Sequence, residues 1–198
     1  MAIKPILFNT EMVRAILDGR KSCTKRLVKT RRKDACGFYV TKKADGTFSG
    51  IYEYDENESM FDNPLMPPYQ PGDILYIRET WSEGYEDGTY IYKADDKLAD
   101  LPTFKESSKL IYHPSIHMPK EAARIWLKVT DVRVERLQDM TDDDAEAEGC
   151  FDYTSIALGF PDVWDSTIKK SDIDRYGWDT NPWVWVIEFE QCEKPEGV

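Results

Sequence analysis

Apolar residues recur along this chain mostly in short runs and alternations, with few helical stripes. Ile3 to Phe8 is one such run and predicts a buried strand. Thr10 offers a helix cap, and Val13, Ile16 and Leu17 follow at spacings of three and four on one face. Gly19 stands where that helix must stop, because glycine enters the left-handed region cheaply. Thr24 to Val28 predicts a second strand. Phe38-Tyr39-Val40 and Ile51 to Tyr54 flank Asp45-Gly46, a hairpin-turn signal. Pro71-Gly72-Asp73 marks a turn into the strand Ile74 to Trp81, and Tyr90 to Tyr92 is another short strand.

Further on, Asp95 to Ser115 is polar and irregular. Ala123 to Leu137 reads as a long strand with a bulge or turn near Asp131. Thr141 starts a helix whose first turn holds Asp142, Asp143 and Asp144, matching the positive helix end. Phe151 to Trp178 reads as loop with helical turns, and Trp183 to Phe189 as a closing strand. Many strands from distant parts of the chain, with few helices, predict an α+β fold. The expected form is a small mixed β-barrel with a few flanking helices. At 198 residues the chain is expected to form a single domain.

Charge sharpens one segment. From Arg14 to Lys33 there are nine Lys or Arg and one acid, Asp18, giving +8 within a chain of formal charge −11. The remainder is therefore −19, which argues against broad binding to nucleic acid or anionic membranes but allows one local anion site. A solvated cationic face is the plainer reading of such a run. Four cysteines without a CxxC pair and only two histidines lack the ligand spacing of a structural zinc site, so no metal and no cofactor are expected. No signal peptide and no apolar span of roughly 20 residues is visible. The chain thus reads as cytoplasmic, with reduced thiols and no membrane partner.

Within the basic segment, Lys21 and Thr24 are three residues apart. On a turn just past Gly19 that spacing brings both to one side; on a regular strand it would not. A threonine hydroxyl needs a base to act as nucleophile. Lysine serves as a base where burial or neighbouring cations depress its pKa. The plain alternatives are a strand threonine and a surface cation.

The order of these segments resembles the ASCH (activating signal cointegrator homology) family. The family pattern of glycine, lysine, Glu or Thr, and arginine reads here Gly19, Lys21, Thr24, Arg26. The turn and strand Pro71 to Leu75, the strand Ile125 to Val134 with its acidic helix, and the strand Val184 to Phe189 complete the likeness. The resemblance implies a PUA-like β-barrel. The stretches near 34–68, 84–119 and 150–182 look like loop insertions, similar to those of the longer, phage-associated members. One subgroup hydrolyses N(4)-acetylcytidine. Its motifs, matched here, imply Lys21, Thr24 and Glu148 as catalytic residues, with Glu146 as the competing carboxylate.

In that reading Thr24 attacks the acyl carbonyl, Lys21 takes its proton, and Glu148 orients Lys21 or assists the leaving amine. Arg26 suits a phosphate or carboxylate, or else an ion pair with one of the chain's many acids. Arg78, Glu79 and Trp81 lie in an Arg-Glu-Thr-Trp run that suggests a pocket wall, against a cross-strand charge pair as the alternative. Trp81, Tyr76 and Trp178 offer stacking surfaces, although most aromatics are core. His117, in Ser115 to Pro119, is a candidate ligand contact, with His113 a weaker one. The expected partner is RNA or a modified nucleoside. The alternatives are a non-catalytic RNA-binding module, a ribonuclease, and a phage accessory protein.

Overall fold

The computed structural model describes residues 1–46, 48–84, 88–95, 111–149 and 159–197. Five strands form the main sheet: β1 (Ile3–Leu7), β2 (Cys23–Leu27), β5 (Ile74–Arg78), β8 (Trp126–Arg136) and β9 (Trp183–Cys192). Their order is β1-β5-β8-β9-β2. β1 and β5 run parallel, with Ile3 opposite Ile74, while the other pairs are antiparallel. Two hairpins stand beside the sheet, β3 (Gly37–Lys42) with β4 (Phe48–Tyr54), and β6 (Trp81–Glu83) with β7 (Tyr90–Tyr92). The expected hairpin around Asp45-Gly46 and the long strand through Asp131 are both present. The latter carries a register shift between Val129 and Asp131.

The sheet has two distinct faces because side chains alternate along each strand. Trp185, Ile187 and Phe189 of β9 enter a core with Ile6, Leu75, Ile77 and Leu127. Val184 and Val186 face the other way, onto Leu137, Met140, Ala145, Phe160 and Trp164. A third cluster joins Ile74, Trp81, Met118 and Trp126.

Helix α1 (Thr10–Leu17) has eight residues, too short to persist alone, so burial of Val13, Ala15 and Ile16 holds it. Its cap differs from expectation: Asn9 accepts from the Met12 N–H at 2.8 Å, and Thr10 is already helical. Gly19, at φ +73°, ends the helix as expected. The Arg20 and Lys21 amides then turn back onto the Ala15 carbonyl at 2.8 and 3.1 Å.

Helix α2 (Asp142–Ala147) is capped reciprocally by Thr141 and Asp144. The expected loop from Phe151 to Trp178 contains more helix than the sequence suggested, in α3 (Phe160–Thr167) and α4 (Ile173–Tyr176). Phe160 and Trp164 sit one turn apart and bury against the back of β9, which rewards helix over loop. Its start, residues 151–158, lies outside the described residues, as does most of the irregular Asp95 to Ser115 stretch. Among the described residues no helix is long and apolar enough to cross a membrane.

β1 and β2 are the two edges of the sheet and are not paired with each other. They are nevertheless tied by a side chain, since Arg26 Nη2 on β2 donates to the Leu7 carbonyl at the end of β1, at 3.1 Å.

Candidate functional site

The seam between those two edges holds a cavity of about 280 Å³. Leu7, Phe8, Asn9 and Met12 form one wall, and Lys21 with Thr24 to Arg26 another. Glu148 and one side of α3 (Phe160, Val163, Trp164 and Thr167) complete it.

The turn at Gly19 delivers Lys21 before β2 begins, so the odd spacing to Thr24 does not place the two on opposite strand faces. Lys21 Nζ donates to the carbonyls of Cys23 and Glu148, at 2.7 and 2.8 Å, and to Glu148 Oε2. Those three acceptors match the three N–H bonds of an ammonium group. The other carboxylate oxygen, Oε1, accepts from the backbone amide of Lys25. Glu148 caps the end of α2, and Gly149, at φ +88°, follows in the left-handed region. A side chain at 149 would meet Ala15 Cβ at 2.9 Å and Lys21 Cβ at 3.4 Å, so the bare glycine lets α1, α2 and Lys21 approach. Glu146, the competing carboxylate of the sequence reading, is exposed on α2, whereas Glu148 is 8% exposed.

Thr24 is buried on the cavity wall, and its hydroxyl makes no hydrogen bond among the described residues. Both Lys21 Nζ and the Arg26 guanidinium lie over the Phe8 ring, 5.4 Å from its centroid. Lys25 points through the sheet instead. Its Nζ lies 3.2 Å from Glu135 and its side chain is fully buried. Cys23, on the same face as Lys25, has its thiol pushed up to about 12, by burial first and then by the Glu148 carboxylate.

The remaining sequence candidates sit elsewhere and do not line this cavity. Arg78 Nε donates to the Met118 carbonyl at 2.8 Å. Glu79 is 1% exposed and receives a two-pronged contact from Arg124, at 2.9 and 3.1 Å. Arg124 in turn reaches Asp95 at 2.7 Å and lies 4.0 Å over the Tyr92 ring. Burial pushes the Glu79 carboxyl above its ordinary value, and Arg124 offsets this only in part. Trp81 is buried against Tyr90 and His113, and His117 is exposed on a 3-10 turn. Tyr76 packs on Trp126 and Trp178 on Phe160. Among the described residues, no cluster of three or more His, Cys, Asp or Glu could hold a metal ion.

Most cations of the basic segment are paired with acids of this chain. Seven of its nine cations have an acid or carbonyl partner. Arg14 meets Glu11, Arg20 Asp18, Lys21 Glu148, Lys25 Glu135, Arg26 the Leu7 carbonyl, Arg31 the Asn63 and Pro64 carbonyls, and Arg32 Asp34. The sequence reading missed the cavity's other walls, Phe8 to Met12 and α3. The α3 wall had a signal in the spacing of Phe160, Val163, Trp164 and Thr167, with Gly159 before the helix and Pro161 in its first turn.

No family profile matches this chain, and no curated protein matches it. Its fold matches a crystal structure of an ASCH domain from Lactobacillus crispatus JV V101, with a TM-score of 0.50 and 11% sequence identity. The match covers 96% of this chain and 79% of that one. At such identity the likeness is one of fold: a mixed α+β domain with the architecture of an ASCH domain.

Proposed function

We propose that the seam cavity binds a modified nucleoside and hydrolyses an acyl amide on its base, as in N(4)-acetylcytidine. The observation that carries this reading is the unpartnered Thr24 hydroxyl on the wall of a cavity that also holds the buried Lys21–Glu148 pair.

One proton shifted across the Lys21–Glu148 hydrogen bond leaves a neutral amine and a carboxylic acid. The Thr24 oxygen then bonds to the acyl carbon while its proton passes to Lys21. The carbon–nitrogen bond breaks, and the exocyclic nitrogen takes the proton of Glu148. Lys21 and Glu148 are back at their starting charges. Water adds to the threonine ester, releases the acid and returns a proton to the Thr24 oxygen.

A nucleoside suits the cavity better than a long RNA. Six of the nine basic side chains between Arg14 and Lys33 pair with an acid, which leaves less unpaired positive charge beside the seam to guide a polyanion. In this reading Arg26 and Phe8 bound the substrate in the cavity, while Arg78, Glu79, Trp81 and His117 lie outside it and have no assigned role.

The test is incubation with N(4)-acetylcytidine, with cytidine followed by chromatography. Thr24→Val keeps the shape and removes the hydroxyl, and turnover should fall by about 10³-fold or more. Lys21→Ala should do the same. Absence of turnover by the unaltered protein, or turnover unchanged in Lys21→Ala, overturns the hydrolase.

A further inference from the structure

The geometry points to a main-chain reader of the base: we infer that the free edge of β2 recognises a donor–acceptor pair on an aminopyrimidine, through the Lys25 carbonyl and the Leu27 N–H. This rests on the nucleoside reading above and specifies how the base is chosen.

The hydrogen-bond phase of β2 identifies these groups. The Val28 amide donates to the Trp183 carbonyl at 3.0 Å, and the Phe189 amide to the Ser22 carbonyl at 2.9 Å. With Leu27 opposite Val184 and Cys23 opposite Glu188, even-numbered residues of β2 bond to β9 and odd-numbered ones point away. Two outward groups are already in use at the site: the Cys23 carbonyl takes Lys21 Nζ, and the Lys25 amide binds Glu148. The next two, the Lys25 carbonyl and the Leu27 amide, have no partner among the described residues, and β2 is the edge strand.

Exposure agrees at Lys25, while Leu27 follows directly on Arg26, the last β2 residue of the cavity wall. Lys25 lines the cavity and is 4% exposed as a residue, yet its side chain is 0% exposed. What it shows to the cavity is therefore main chain, and its N–H is taken.

An extended strand projects the carbonyl of one residue and the amide of the second residue along to the same side. That pair accepts one N–H and donates to one neighbouring acceptor, the way an added strand or a planar amide is held. Cytosine offers such an edge, an amino N–H beside the ring nitrogen N3. The strand direction fixes the rest. With N3 at Leu27 and the amino nitrogen at Lys25, the acyl group continues toward the next outward group, the Lys25 amide with its bound Glu148, and on to Lys21.

Calorimetric titration of the full chain tests this with cytidine, 3-deazacytidine, which lacks the N3 acceptor, and N(4),N(4)-dimethylcytidine, which lacks the donor. Each loss should weaken binding about tenfold relative to cytidine. Leu27→Pro deletes the outward N–H without touching the β9 ladder, and an edge strand tolerates proline there. In that variant cytidine and 3-deazacytidine should bind within about twofold of each other, while the dimethyl compound still binds about tenfold more weakly. Equal binding of cytidine and 3-deazacytidine to the unaltered protein, or discrimination retained in Leu27→Pro, overturns the edge assignment and leaves the nucleoside reading standing. Failure of the unaltered protein to bind any of the three removes both. Should Leu27→Pro lose its circular dichroism, the three-ligand series on the unaltered protein decides alone.

Discussion

Lys21 and Glu148 are 127 residues apart in the chain and share a buried hydrogen bond that joins the end of α1 to the end of α2. Each satisfies the other's charge, and both side chains are largely shielded from solvent. Lys21→Met should therefore cost about 3–5 kcal/mol, because a buried carboxylate loses its cation. Lys21→Met/Glu148→Gln should be more stable than Lys21→Met alone, since glutamine carries no charge and still accepts from the Lys25 amide. Urea midpoints of the variants check this; a double variant no more stable than the single would refute it.

Gly149 is the hinge of the same arrangement. Gly149→Ala forces a left-handed backbone on alanine and sets its Cβ against Ala15 and Lys21. The expected cost is about 1–3 kcal/mol, with loss of turnover beyond what lower stability explains. Activity at a temperature where the variant remains folded separates the two effects.

The acid limb of stability should depend on Asp73. Burial works to raise its carboxyl, but Lys4 at 2.7 Å and the amides of Ala2 and Gln70 outweigh it and hold it below the usual range. Its folded value lies below its unfolded one. The stabilisation is thus present above about pH 4 and is lost as pH falls through the folded value. Asp73→Asn should flatten the decline in urea midpoint below about pH 4. Glu79 acts in the opposite sense. Burial sets its folded value above the unfolded one, so its contribution is present at low pH and lost as pH rises through that folded value. Glu79→Gln should remove that opposing slope.

Thiol chemistry should separate two cysteines. Cys36 is exposed, whereas the Cys23 thiol is buried and pushed up to about 12. A brief iodoacetamide pulse at about pH 8, a value near an ordinary thiol pKa, should label Cys36 and spare Cys23 until urea unfolds the chain. Peptide mass spectrometry reads the two sites directly. Early labelling of Cys23 would mean that the α2 end of the site opens on its own.

Much of the local structure was legible because it rests on short-range rules. The Gly19 stop, the Thr141 cap, the hairpin at Asp45-Gly46 and the bulge near Asp131 each follow from neighbouring residues. The cap of α1 was misplaced by one residue because Asn9 and Thr10 are both good caps, and only backbone direction chooses between them. The sequence predicts only helical turns within a loop where α3 stands, because its reason to be a full helix, the back of β9, lies far along the chain. The charge of the basic segment misled most. A count of cations says nothing about partners such as Glu135, Glu148 or the Leu7 carbonyl, which arrive from other strands and helices.

By itself, then, the sequence determined most of the strands and turns and the Thr141 cap, and it marked Lys21 and Thr24 as a pair needing a turn before β2. The tertiary structure decided which carboxylate meets Lys21, that α3 walls the cavity, and that the Lys25 carbonyl and Leu27 amide of β2 have no partner among the described residues. Alternation and capping are properties of adjacent residues. The pairing of a buried charge and the fate of a strand edge depend on what the rest of the chain brings to them.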